Sequence, residues 1–371
     1  MILLIKLGLL FLNFIYFFVK LLPIKNRITF ISRQSNSKSD DIVLLENEIK
    51  KRDNNIEVIA LCKTLDEGFF NKVKYFIHMF VQMYYLSTSK VIVLDGYCIC
   101  ASVLKKKKNT VIIQMWHALG AFKRFGLSIV DSDEGSSKEM AKVMKMHNNY
   151  DYVLTSSENT KKYFSEAFGY NIDKVKVMPL PRVDNLTSEK YKKNIKKRIE
   201  KEYPILKKKK NIIYVPTFRK DGENIEYINN LIDKIDYSNY NLIVKLHPLS
   251  KIDISDQRVI IDKKFTSVEM MIVSDYVITD YSAIVFEAAI LGKPIFFYCY
   301  DYDKYYKKRN FYIDYKKEMP GSIEKDADKI IKSIENEKFD LNRVTNFRKK
   351  YIDLEEGKCS SNLVDFIFKV M

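Results

Sequence analysis

Ser274-Asp275-Tyr276-Val277-Ile278-Thr279-Asp280-Tyr281-Ser282-Ala283-Ile284-Val285-Phe286-Glu287-Ala288-Ala289 is the stretch on which the fold turns. Tyr276 to Thr279 has the composition of a strand, and the polar turn after it opens an apolar helix that closes at Gly292-Lys293-Pro294. Asp280 or Ser282 is placed to cap that helix, whose first N–H groups suit a phosphate. Glu287, one to two turns in, is placed to accept hydrogen bonds from ribose hydroxyls. The alternative is an ordinary N-cap on a core helix.

The same strand–turn–helix pattern recurs on both sides. Downstream of residue 210 the strands are expected at Asn211–Val215, Leu242–Leu246, Val259–Ile261 and Pro294–Tyr298. Upstream they fall at Ile28–Ser32, Ile56–Leu61, Val91–Leu94, Val111–Gln114, Tyr152–Thr155 and Val175–Met178, with an apolar helix over Lys72–Ser87. Strands alternating with helices predict parallel sheets covered on both faces. The basic stretch 188–210 reads as an inter-domain connection. The expectation is therefore an α/β chain of two doubly wound domains facing a cleft: 1–24 a membrane-associating segment, 25–200 the first domain and 201–371 the second. Ligands of such sheets bind outside the carboxyl ends of the strands.

The 371 residues are 47% hydrophobic and 30% charged, enough for two buried cores. Lys and Arg number 63 against 47 Asp and Glu, a net charge of +16, which favours an anionic partner: a phosphorylated substrate, an acidic membrane or nucleic acid. Charge is the sole support for nucleic acid, since no aromatic–basic array accompanies it. The five cysteines form no zinc-spaced set. Cys98 and Cys100 read as two positions on the buried face of a strand, in a reducing compartment. Met1 to Leu22 is apolar except for Lys6, Asn13 and Lys20, and no small-residue cleavage site follows. Its length allows one span, while Lys6 favours a segment lying in the interface with its ammonium turned outward. A core helix is the alternative. In the membrane-associated reading, which is preferred, the flank Lys20, Lys25 and Arg27 faces anionic head groups on the cytoplasmic side.

Reactive side chains follow three more strands. After Val111–Gln114 come Trp116, His117, Ala118, Leu119, Gly120, Ala121 and Lys123. Two readings of His117 stand: a neutral imidazole that removes a proton from an acceptor hydroxyl, or a ring packed beside Trp116. Pro216, Thr217 and Arg219 follow Asn211–Val215. In Lys245-Leu246-His247-Pro248 the proline ends the strand. Lys245 and His247 share a face and suit a diphosphate, or Lys245 is a solvated edge residue. Asp301-Tyr302-Asp303 and Asp131-Ser132-Asp133 resemble metal pairs but read better as solvated turns. No P-loop, GxGxxG, GxSxG or HExxH is present.

Taken together, Trp116-His117-Ala118, Pro181-Arg182-Val183-Asp184, Pro216-Thr217-Phe218-Arg219, His247-Pro248 and Ser274 through Glu287 resemble, in this order, the motifs of the CDP-glycerol glycerophosphotransferases of teichoic-acid synthesis. The resemblance implies two Rossmann-like domains in a GT-B-like arrangement, no cofactor and no required metal, and a peripheral place on the cytoplasmic side of the cell membrane. It implies a CDP-glycerol donor, CMP as leaving group, and a lipid-linked polymer or disaccharide as acceptor. It makes His117 the base and His247 the group that stabilises the donor diphosphate or the leaving phosphate. Ala118, Leu119, Gly120, Ala121, Lys123, Arg182, Pro216, Thr217, Arg219, Lys245, Leu246, Thr279, Asp280, Ser282, Ala283 and Glu287 are implied to line the substrate pocket. Ala118 stands where the usual motif has glycine, Ala283 where it has serine and Glu287 where it has aspartate. These departures open the donor to CDP-ribitol. A nucleotide-sugar glycosyltransferase of the same architecture is a further alternative, separated by its leaving group. A basic, non-enzymatic scaffold for anionic polymer is another, separated by indifference to loss of either histidine.

Overall fold

A computed structural model describes residues 2–219, 225–247, 250 and 252–371. The chain forms two compact units, Met1–Asp184 with Asp353–Met371, and Asn185–Ile352. The first carries β1 (Lys25–Ser32), β2 (Glu57–Cys62), β3 (Ser89–Leu94), β4 (Val111–Gln114), β5 (Tyr152–Thr155) and β6 (Val175–Val177) in the order β2-β1-β3-β4-β5-β6. The second carries β7 (Lys210–Val215), β8 (Tyr240–Val244), β9 (Val259–Ile261), β10 (Tyr276–Thr279), β11 (Ile295–Tyr298) and β12 (Ile323–Glu324) in the order β12-β11-β10-β7-β8-β9. Every pairing is parallel. Strands such as Val91–Leu94 and Ile212–Val215 are buried along their whole length, as helices on both faces demand.

In each sheet the chain starts in the middle, builds to one side and then crosses to the other. The order therefore reverses between β1 and β3, and again between β7 and β10. At such switch points neighbouring loops leave in opposite directions and open a crevice at the carboxyl ends of the strands. The four reactive segments sit at or next to these two places.

Three expectations need correction. Residues 188–210 are not a connection. Helix Glu189–Glu202 buries Ile195 and Ile199, packs on helix Ser267–Ile272 and belongs to the second unit. The i, i+4 spacing of its two isoleucines was hidden among ten charged neighbours. Second, the division falls at Asp184/Asn185 instead of 200/201, and the C-terminal helix Cys359–Val370 belongs with the first unit. There it packs on helix Asp40–Arg52, with Arg52 paired to Asp365. Third, Cys98 and Cys100 are not strand residues. Cys98 precedes the short helix Ile99–Val103 and Cys100 lies in it, both buried and unoxidised.

Helix Ile2–Val19 is long and apolar enough to cross a membrane by length and composition. It buries Leu12 and Tyr16 but leaves Leu4 73% and Phe14 65% exposed.

Candidate active site

In the first unit the reactive groups stand at the carboxyl ends of three adjacent strands. β4 ends at Gln114, whose buried amide donates to Gly96 O and accepts from the Trp116 N–H at 3.0 Å each. Trp116 takes φ 63°, a left-handed conformation that costs a bulky residue on the order of 1–3 kcal/mol. Its ring compensates by stacking on Phe125 at 5.1 Å and meeting Phe168 edge-on at 5.3 Å. The sharp turn delivers His117 beside Asp95, the residue after β3.

His117 Nδ1 lies 2.9 Å from Asp95 O. A carbonyl only accepts, so Nδ1 carries the proton and the neutral ring keeps its lone pair on Nε2. Burial, opposed by this hydrogen bond and aided by the Arg182 charge, pushes the His117 pKa down to about 4. At neutral pH the ring is an oriented, unprotonated base. Of the two readings of His117, the packed ring is observed: it lies 4.3 Å from Trp116, which together with the Asp95 carbonyl fixes its orientation.

Arg182 and Asp41 complete the frame. Asp41, in the first turn of helix Asp40–Arg52, accepts from Arg182 N at 2.8 Å and from its Nε at 2.9 Å. The same guanidinium donates to His117 O at 3.3 Å. Asp184, two residues on, accepts the N–H groups of Cys359 and Ser360 at 2.9 and 2.8 Å. The Pro-Arg-x-Asp motif therefore secures the loop to helix Asp40–Arg52 and to the start of the C-terminal helix. Leu119, Gly120 and Ala121 are buried, while Ala118 and Lys123 are partly exposed.

In the second unit β8, β7 and β10 are neighbours, and their carboxyl ends bring most of the remaining expected residues together. Asp280, fully buried, does not cap the helix after it. It accepts from Thr217 N at 2.8 Å, Thr217 Oγ1 at 2.6 Å and Arg219 Nη2 at 2.9 Å. Arg219 is not turned to a ligand either. Nε and Nη2 reach Asp301, Nη1 reaches Thr217 O, and the guanidinium lies 5.2–5.6 Å from the rings of Tyr281, Tyr300 and Tyr305. Asp301, expected in a solvated turn, also accepts from the Tyr281 hydroxyl at 3.1 Å. Thr279 donates to Val215 O, and Pro216 is buried beneath the same turn.

Lys245 is likewise corrected. It is neither a diphosphate ligand nor a solvated edge residue: its ammonium is buried and donates to Asp262 Oδ2 and O at 2.8 Å and to Phe265 O at 2.6 Å. Leu246 packs against the core of the unit. His247, by contrast, is exposed, its ring 5.2 Å from Phe218, and partial desolvation lowers its pKa. Pro248 lies outside the described residues. Ser282 and Ala283 stay partly exposed, Ser282 Oγ accepting from Ile284 N at 3.4 Å. Glu287 is buried within helix Val285–Ile290, which is only six residues long, and Gly292 ends that turn at φ 65°. Among the described residues no three His, Cys, Asp or Glu form a metal-sized group.

Asp41, Asp95 and Asp262 were not singled out as site residues by sequence reasoning, and Asp301 was read as part of a solvated turn. Of the first three, Asp95 carried a signal, a carboxylate and glycine directly after a β-branched strand.

Two parallel sheets with polar strand ends at each switch point define a protein of the doubly wound α/β class. The chain belongs to the CDP-glycerol:poly(glycerophosphate) glycerophosphotransferase family, whose sequence profile matches residues 14–369; it is a transferase. It is 32% identical to the teichoic acid ribitol-phosphate primase of Bacillus spizizenii, over 94% of this chain and 92% of that one. It is 31% identical to the teichoic acid glycerol-phosphate primase of Bacillus subtilis, over 96% and 95%. The poly(ribitol-phosphate) polymerase of Bacillus spizizenii is 34% identical, and there the chain spans 58% of a longer protein. The wall teichoic acid polymerase TagF shares the fold with a TM-score of 0.75 at 23% identity, covering 93% of this chain and 89% of that one.

Proposed function

We propose that this enzyme transfers glycerol phosphate, or ribitol phosphate in the alternative, from its CDP-activated form to a membrane-linked teichoic-acid or capsule-type acceptor, in a GT-B-like architecture. His117 Nε2 takes the proton of the acceptor hydroxyl as its oxygen attacks the polyol-bearing phosphorus. The bond from that phosphorus to the bridging oxygen breaks, and CMP leaves with the electron pair. His247 donates to the departing phosphate. Thr217, Ser282, Ala283 and Glu287 are assigned to the CDP-polyol, and Ala118 and Lys123 to the acceptor side.

The observation that carries this reading is the His117 ring, neutral at physiological pH and fixed by a carbonyl so that one lone pair is available. That is the state a general base needs before an alcohol attacks phosphorus. Relatives that act on glycerol phosphate and on ribitol phosphate both support the transfer of a polyol phosphate. The exposed apolar helix Ile2–Val19 and the charge of +16 support attachment to an anionic membrane surface from the cytoplasmic side.

The test is to incubate purified full-length protein with CDP-glycerol or CDP-ribitol and a lipid-linked acceptor, following nucleotide release. CMP from one donor supports the reading and names the polyol. Release from neither, or UDP release from a nucleotide sugar instead, overturns it.

A further inference from the structure

We infer that Asp41 is a positioning residue for the transfer: it clamps Arg182 against the His117 turn and supplies the negative charge that stabilises the imidazolium formed when Nε2 takes the acceptor proton. This rests on the assignment of His117 as base.

Asp41 lies 141 residues before Arg182 and is 1% exposed, so its carboxylate is withdrawn from solvent. Both oxygens are committed to one partner. Oδ1 accepts from the Arg182 main chain at 2.8 Å, and Oδ2 accepts from Nε at 2.9 Å and Nη2 at 2.5 Å. A two-pronged contact to main chain and side chain fixes position and rotamer together, beyond what charge neutralisation alone demands. The fixed guanidinium then reaches past Asp41 to His117 O, so the imidazole is held at its ring by Asp95 and at its backbone by Arg182.

The charges around the ring come from three elements. Arg182, on helix Arg182–Thr187, opposes protonation, and Asp41, on helix Asp40–Arg52, favours it. Asp95, at the end of β3, offers its carbonyl, while its own carboxyl is 4% exposed and leaves Oδ1 without a partner. With Arg182 alone beside it the ring would face an uncompensated cation as it gains its proton. Asp41, paired directly with the guanidinium, offsets part of that penalty. The acceptor O–H bond breaks as the N–H bond forms at Nε2, while that oxygen bonds to phosphorus and CMP leaves with the electron pair of the broken P–O bond.

Asp41→Asn keeps the size and still offers one oxygen to Arg182, but removes the charge. Expected is a kcat lower by about 10- to 100-fold, the range for groups that orient a functional imidazole from behind. Donor KM should change little, the chain should stay folded by circular dichroism although loss of a buried charge pair lowers its melting temperature, and the acid limb of kcat/KM should move to lower pH. Asp41→Glu should leave that limb in place even where kcat falls, because it keeps the charge. Parental kcat in Asp41→Asn, or reduced kcat with an unmoved acid limb, overturns the inference. His117→Ala, assayed alongside, separates the two claims: if it retains turnover, the base assignment itself fails, whatever Asp41 does.

Discussion

The strand ends of the two units use charge in opposite ways. In the first, the Asp95 carbonyl fixes the tautomer of an imidazole that burial keeps neutral, and the paired charges of Asp41 and Arg182 hold its turn. In the second, Arg219, Lys245, Asp262, Asp280 and Asp301 are spent on one another, and the imidazole of His247 is left exposed. A general base needs a tuned environment, whereas a diphosphate site needs a turn that does not collapse when its ligand leaves. Buried ion pairs hold such a turn open through geometry more than through net stability.

The largest effect should come from the tuned ring. His117→Ala is expected to lower the rate of CMP release by about 10²–10⁴-fold, as loss of a general base does, with unchanged circular dichroism. Two residues of one strand end then sharpen the contrast. His247→Ala should lower turnover by about 10²-fold or more, in line with loss of a group that stabilises transition-state charge, without moving the denaturation midpoint. Lys245→Met should instead lower stability by about 3 kcal/mol, because Asp262 is left buried without its cation, read by urea titration. If Lys245→Met destroyed activity at full stability, the partition between scaffold and ligand groups would be broken.

The pH dependence is smaller and has a definite sign. His117 titrates at about 4 in the folded chain against an ordinary 6.5, because burial disfavours its cation, and His147 is lowered to about 4 by burial as well. The unfolded chain binds these protons more readily, so stability is held above pH 6.5 and falls as pH drops from there toward 4. Asp95, pushed up to about 6 by burial, works the other way: its contribution is full below about 4 and lost as pH rises through 6. His117→Gln should therefore flatten the decline between pH 6.5 and 4, followed by denaturant titration at each pH. Smallest for chemistry is the pair Leu10→Lys and Phe14→Lys. Sedimentation with phosphatidylglycerol vesicles should weaken by about tenfold or more, given the roughly 0.8 kcal/mol carried by each buried methylene, while turnover of a soluble acceptor stays unchanged.

What the sequence made legible follows from local pattern. Strand alternation placed all the reactive segments at carboxyl ends, because a parallel sheet repeats one short-range motif. Partnerships were not legible, since they join distant positions: Asp41 with Arg182, Thr217 with Asp280, Arg219 with Asp301. Lys245 misled for the same reason. A lysine before a histidine at a strand end reads as a phosphate ligand until Asp262, brought alongside through β9, is known to take its ammonium.

The left-handed turn at Trp116 has a spectroscopic consequence. The chain contains one tryptophan, and its indole lies 4.3 Å from the imidazole of His117 and 6.4 Å from that of His147. An excited indole surrenders its electron to a nearby imidazolium far more readily than to the neutral ring, so emission should dim as acid charges His117 and His147, and His147→Phe isolates the part due to His117. The protein carries its own optical reporter of the protons on these two rings, readable without label, substrate or turnover.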